Sequence, residues 1–188
     1  MPRCSHNYTA CHPNSDDTMS LPAAVPIQVW FVLQQHSLVL DWAGPAEALR
    51  IANQLLRAAG QPERFQIRFA GAAPQATGSV GVTLANLEPL PAHWNGPCWL
   101  VLVGLPGSTI AVDNDEAQAL LHWLRGLRLA RGRLELVTIC AGTLLAAHAG
   151  LLAGRRATTH HHHLDELAAV EPRCDVVANR VFVVDPPL

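Results

Sequence analysis

Leu134-Glu-Leu-Val-Thr-Ile-Cys-Ala-Gly-Thr-Leu-Leu-Ala-Ala-His-Ala-Gly150 opens as a strand and becomes a helix with almost nothing between. Leu134 to Ile139 carries β-branched and apolar residues with one Glu, and Thr143 to Ala149 is rich in Ala and Leu. The first half therefore favours strand and the second helix. Cys140 falls at the corner. A side chain at such a sharp turn projects above the carboxyl edge of a sheet, and the backbone there is commonly strained. The helix that follows aims free N–H groups and its positive dipole end at the corner, which lowers a thiol pKa. Ala141 and Gly142 are expected to leave room above the sulfur. The same pattern also fits a buried structural cysteine, the commoner fate of a free Cys.

Upstream, the same alternation repeats. Ile27-Gln-Val-Trp-Phe-Val-Leu33 reads as a buried strand. A loop over Gln34 to Leu40 leads to a helix opened by Asp41-Trp-Ala-Gly-Pro-Ala-Glu47, with Pro45 in its first turn and Glu47 placed to favour the dipole. That helix is expected to run to Ala59 and stop at Gly60, with Ala46, Leu49, Ile51, Ala52, Leu55 and Leu56 as its apolar face. Asp41 then lies on the same sheet edge as Cys140, although Asp also serves often as a plain cap. Phe65 to Ala70 and Cys98 to Val103 read as further strands, and Val80 to Ala85 as a small β-excursion. Gly104-Leu-Pro-Gly107 is a turn that can offer backbone N–H groups to an anion. Asp113 to Leu127 is a helix with acids at its start and arginines toward its end.

Beyond Gly150, Arg155 to Thr159 leads to four consecutive histidines, His160 to His163, and a short helix over Leu164 to Val170. A histidine cluster can bind a metal or titrate near neutral pH. On a short helix four successive side chains point in different directions, so no four-ligand metal site is expected. Asp175-Val-Val and Val181-Phe-Val-Val follow, with a turn at Ala178-Asn179. Strand and helix alternate throughout, predicting an α/β, three-layer, doubly wound and mostly parallel sheet. Ligands of such sheets bind beyond the carboxyl ends of the strands. Asp41, the Gly104 turn and Cys140 all fall there.

The chain has 188 residues, enough for one domain with a sizeable core. With charged residues at 15% and a net charge of -2, it lacks the basic face that binds DNA phosphates. Residues 1 to 25 are expected to be a disordered or artefactual extension, with residues 26 to 188 as the domain. Cys4, His6, Cys11 and His12 in that extension match no common zinc pattern. Cys98 and Cys174 complete an odd, irregularly spaced set of cysteines, which suits reduced thiols and a cytoplasmic location. No run is long enough to span a bilayer.

Four stretches carry a family resemblance: Leu40 to Glu47, Gly104 to Gly107, Thr138-Ile-Cys-Ala-Gly-Thr143, and Ala149-Gly-Leu-Leu-Ala-Gly-Arg-Arg-Ala-Thr-Thr-His160 continuing to Leu167. Together they resemble the DJ-1/PfpI superfamily, within the flavodoxin-like, class I glutamine amidotransferase-like fold, and most of all the amino-terminal domain of AraC-type transcriptional regulators. The resemblance implies Cys140 as the elbow cysteine, Asp41 as the acid facing it, and His160, twenty positions on, as its histidine neighbour. The backbone of Gly104 or Leu105, with Ala141 and Gly142, would form the ligand or oxyanion pocket. It also implies a homodimer, and a domain that lacks its usual last strand and helix and leaves an apolar sheet face bare. DNA would be reached only through a helix-turn-helix domain absent from this chain. No cofactor and no metal are implied.

Departures from the pattern narrow the function. Ala141 stands where isocyanide hydratases carry Thr and protease-type members His, arguing against both chemistries. Leu105 replaces the second glycine of the usual pair, and His161 replaces a tryptophan. His163-Leu-Asp165 mimics the His-x-Glu of amidotransferases but comes too early. The favoured reading is a sensor of a small metabolite. The alternatives are a cysteine hydrolase or lyase with Cys140, Asp41 and His160 as its catalytic groups, and a redox-sensing thiol.

Overall fold

The computed structural model describes residues 25–185. The expected amino-terminal extension, with Cys4, His6, Cys11 and His12, lies outside the described residues apart from Val25. Five strands form one parallel sheet: β1 (Ile27–Val32), β2 (Phe65–Gly71), β5 (Glu88–Pro89), β6 (Cys98–Leu102) and β7 (Leu134–Thr138), in the order β5-β2-β1-β6-β7. Between β2 and β5, strands β3 (Gln75–Thr77) and β4 (Thr83–Ala85) make an antiparallel hairpin. The expected excursion is there, with its first arm earlier than the sequence indicated.

Helices lie on both faces. Helix α1 (Val39–Ala58) and the hairpin cover one, where Val29, Phe31, Leu33, Val101 and Val103 are buried with Ala46 and Ala76. Helices α2 (Asp115–Arg125), α3 (Gly142–His148) and α4 (Leu164–Val170) contribute to the other core, around Leu100, Leu102, Leu120, Leu144 and Leu167. The two-stranded pair β8 (Arg156–Ala157) and β9 (Asp175–Val176) closes the described chain. The doubly wound reading therefore holds.

The register aligns the strand ends. Val32 pairs with Ala70 and with Leu102, and Leu102 pairs with Thr138. The residues after β1, β6 and β7 thus emerge at one edge. The order reverses between β1 and β6, which is where doubly wound sheets form their crevice. Asn114 caps α2 by accepting from the Ala117 amide at 2.9 Å.

Two expectations need correction. Helix α1 begins at Val39, earlier than Asp41, because the Leu38 amide is already anchored on the Gly104 carbonyl at 2.9 Å. Pro45 consequently sits inside the helix, in its second turn. The apolar face of α1 is also narrower than its pattern implied. Ile51 and Leu55 are exposed, while polar Asn53 is buried, its amide donating to the Phe65 carbonyl and its oxygen accepting from the Arg64 and Phe65 amides. A buried Asn that satisfies the start of β2 cannot be recognised from helical periodicity alone. The apolar run Val181 to Val184 forms no strand, and Val181 and Phe182 are 100% and 75% exposed. Val137, on edge strand β7, is an exposed large apolar residue.

Candidate functional site

The chain leaves β7 through Ile139, whose amide donates to the Leu102 carbonyl at 2.9 Å, and turns at Cys140 with φ +53°. A non-glycine residue in that left-handed region is strained. The elbow is pressed onto β6. A Cβ on Gly142 would lie 2.4 Å from the Leu102 carbonyl oxygen, so only glycine fits. Gly142 therefore faces down onto the sheet, a correction to its expected place among ligand-facing residues.

Asp41, from the first turn of α1, reaches the same spot. Its Oδ2 accepts from the Gly104 amide at 3.0 Å. A Cβ on Gly104 would meet Asp41 Oδ2 at 2.7 Å, Cys140 Cβ at 3.0 Å and the Ala141 nitrogen at 3.2 Å. The absence of a side chain at Gly104 is what lets acid, thiol and elbow amide converge. Trp42, beside Asp41, packs edge-on against Phe69 at 5.7 Å and fixes this end of α1 to the sheet.

The electrostatics depart from the expected activated thiol. Burial pushes the half-buried Cys140 thiol up; a hydrogen bond with the Ala141 amide opposes that, and the Asp41 carboxylate adds to it. Helix α3 has only seven residues, so its dipole is short. Burial also raises Asp41, against the Gly104 hydrogen bond and the charge of His160. His160 is lowered by desolvation first and by its three histidine neighbours next, with Asp41 pulling the other way.

Sequence reasoning gave no role to the threonines that hold this arrangement. The buried Thr143 hydroxyl lies 2.9 Å from Thr138 Oγ1 and 3.1 Å from the Thr158 carbonyl oxygen. Thr159 Oγ1 donates to the Cys140 carbonyl at 2.9 Å. These bonds strap the Thr158-Thr159-His160 segment to the elbow. Further on, Glu166 accepts from the Ile110 amide at 3.1 Å and pairs with buried His163 at 2.7 Å, joining α4 to the loop after β6. The available sign was the position of threonines immediately before His160.

A cavity of about 310 Å³ opens at the crevice between the ends of β1 and β6, lined among others by Gln34, His36, Leu105, Thr109, Asn114 and Glu116. Leu105 lines this cavity and packs on the core. Gln34 Nε2 and Glu116 Oε1 are buried there without a hydrogen-bond partner among the described residues.

Comparison with known proteins places this geometry. No family model matches the chain. It is 32% identical over 151 residues to an uncharacterized protein from the cpoL 5′ region of Streptomyces lividans, spanning 77% of this chain and 95% of that one. A ThiJ/PfpI family protein from Pseudomonas syringae shares its fold at a TM-score of 0.61 and 19% identity, over 91% of this chain and 64% of the other. The chain has the fold of DJ-1/PfpI-type proteins. It is also similar to an HTH-type transcriptional regulator, CdhR, of Pseudomonas aeruginosa, at 30% identity over 161 residues. That match covers 84% of this chain and 44% of the regulator, so the chain spans less than half of that relative's length. An AraC family transcriptional regulator from Pseudomonas putida also shares the fold, with TM-score 0.63 and 19% identity over 85% of this chain and 80% of that one. The fold of this chain is thus one found both in a ThiJ/PfpI family protein and in an AraC family regulator. Among the described residues no helix is long and apolar enough to cross a membrane.

Proposed function

We propose that this domain senses a small polar metabolite for an AraC-type regulator and does not turn it over. One observation carries the preference: the donors an oxyanion would need are already engaged. The Gly104 amide is held by Asp41, and the Ala141 amide by the Cys140 sulfur. A nucleophile also needs a ready thiolate, and burial with the neighbouring carboxylate works against one here. The ligand occupies the crevice cavity beside Gly104 and reaches toward the Cys140 elbow. Gln34 Nε2 and Glu116 Oε1 give it one donor and one acceptor. A homodimer in the cytoplasm, with DNA contacted by a separate domain, completes the proposal.

A thermal-shift screen of polar metabolites, followed by calorimetric titration of each hit, tests it. A true hit should bind the wild type and lose about tenfold in affinity in Gln34→Leu, the equivalent of one hydrogen bond. Its concentration should stay constant on prolonged incubation. Consumption of the hit by the wild type, abolished in Cys140→Ala, would replace the sensing proposal with a cysteine hydrolase or lyase.

A further inference from the structure

The four histidines before α4 do not behave alike. His163 is buried and pairs with Glu166 at 2.7 Å, which anchors the 3-10 turn His161–His163 to α4. The other three turn toward one another. The ring centroids of His160 and His161 are 4.3 Å apart, those of His161 and His162 4.0 Å, and those of His160 and His162 5.1 Å. One ligating nitrogen from each lies within 4.8 Å of the other two. The expectation that successive histidines point apart assumed an α-helix, whereas a 3-10 turn entered from a non-helical His160 (φ −56°, ψ 138°) brings three of the rings together.

We infer that His160, His161 and His162 form a three-imidazole site for a late first-row divalent cation of the zinc, nickel or copper type. Imidazole nitrogen is the ligand these ions prefer, and three histidines with one open position is an established coordination set for zinc. His160 Nδ1 accepts from the His162 amide at 3.4 Å, which orients the ring and leaves Nε2 for the ion. His161 and His162 are exposed, so closing the three nitrogens onto a metal needs side-chain rotation without disturbing the core. The neighbouring charge is favourable, since His160 interacts with the Asp41 carboxylate. The open coordination position is left to water or a small ligand. The site is independent of the sensing proposal, because it uses neither the crevice cavity nor the thiol.

The test is titration of the metal-free full chain with Zn²⁺ against a chromophoric chelator, comparing wild type with His161→Ala/His162→Ala. The readout is the difference between the two chains, since Cys4, His6, Cys11 and His12 are also ligand types. The wild type should take up one equivalent more than the variant, and the two should melt alike in chelator. Co²⁺ substitution should give a d–d spectrum whose histidine-dependent part carries no thiolate charge-transfer band. Equal uptake by both chains overturns the inference. So does a histidine-dependent spectrum with a thiolate band that disappears in Cys140→Ser.

Discussion

Replacing Gly142 by alanine separates local propensity from packing at the elbow. Gly142 is the first residue of α3, where local preference alone favours alanine by up to about 1 kcal/mol. The structure reverses the sign. The new Cβ would lie 2.4 Å from the Leu102 carbonyl oxygen, 2.7 Å from its carbon and 2.9 Å from the Val103 carbon, all backbone atoms of the sheet region. Restoring ordinary contact lifts α3 by about 1 Å, a gap that forfeits a quarter to a half of each dispersion contact. Leu144, Leu145, Ala146 and Ala147 are all buried on that helix and would feel it. The expected cost is about 3 kcal/mol, or a fall of roughly 6–12 °C in Tm for a domain of this size. Gly150→Ala is the control. Gly150 has φ +75° with nothing within 4 Å of an added Cβ, so it carries only left-handed strain of about 1–2 kcal/mol. Urea unfolding of both variants decides the matter. If Gly142→Ala is no less stable than Gly150→Ala, the close seating of the elbow on β6 is wrong.

Thr143→Val keeps shape but removes the hydroxyl shared by Thr138 and the Thr158 carbonyl, and should cost about 2 kcal/mol in urea unfolding; Thr143→Ser should recover most of it, and equal losses in both would refute the strap. Asp41→Asn should alter the pH dependence of stability. The folded pKa of Asp41 is raised, so the native state holds its proton longer than the unfolded chain. Its stabilising contribution is full below the unfolded value of 3.8 and is lost as pH rises through the folded value. The Tm of Asp41→Asn relative to wild type should therefore climb from pH 3 toward 7. A relative Tm that falls over that interval contradicts the burial argument.

The elbow was legible because it is local. Six strand-forming residues, a cysteine and a run of helix formers dictate a corner whatever surrounds them, and φ +53° at Cys140 is that corner. The sheet was legible for the same reason, through alternation. The convergence of Asp41 and Gly104 followed from placing both at strand ends of one parallel sheet. The state of the thiol did not follow. The sequence displays the helix that lowers a pKa, whereas burial and the Asp41 charge arise from residues far apart in the chain. The outward Ile51 and Leu55, the inward Asn53 and the hydroxyl strap of Thr143 depend likewise on what faces them, which periodicity does not encode.

Alkylation of Cys140 across pH measures the central claim, that this thiol belongs to a binding site and not to an activated nucleophile. Peptide mass spectrometry after timed iodoacetamide pulses should find Cys140 slow at pH 7, with a midpoint above that of an ordinary thiol. Asp41→Asn should move that midpoint down, because it removes the neighbouring negative charge. Full reactivity of wild-type Cys140 at pH 7, unchanged in Asp41→Asn, would contradict the account.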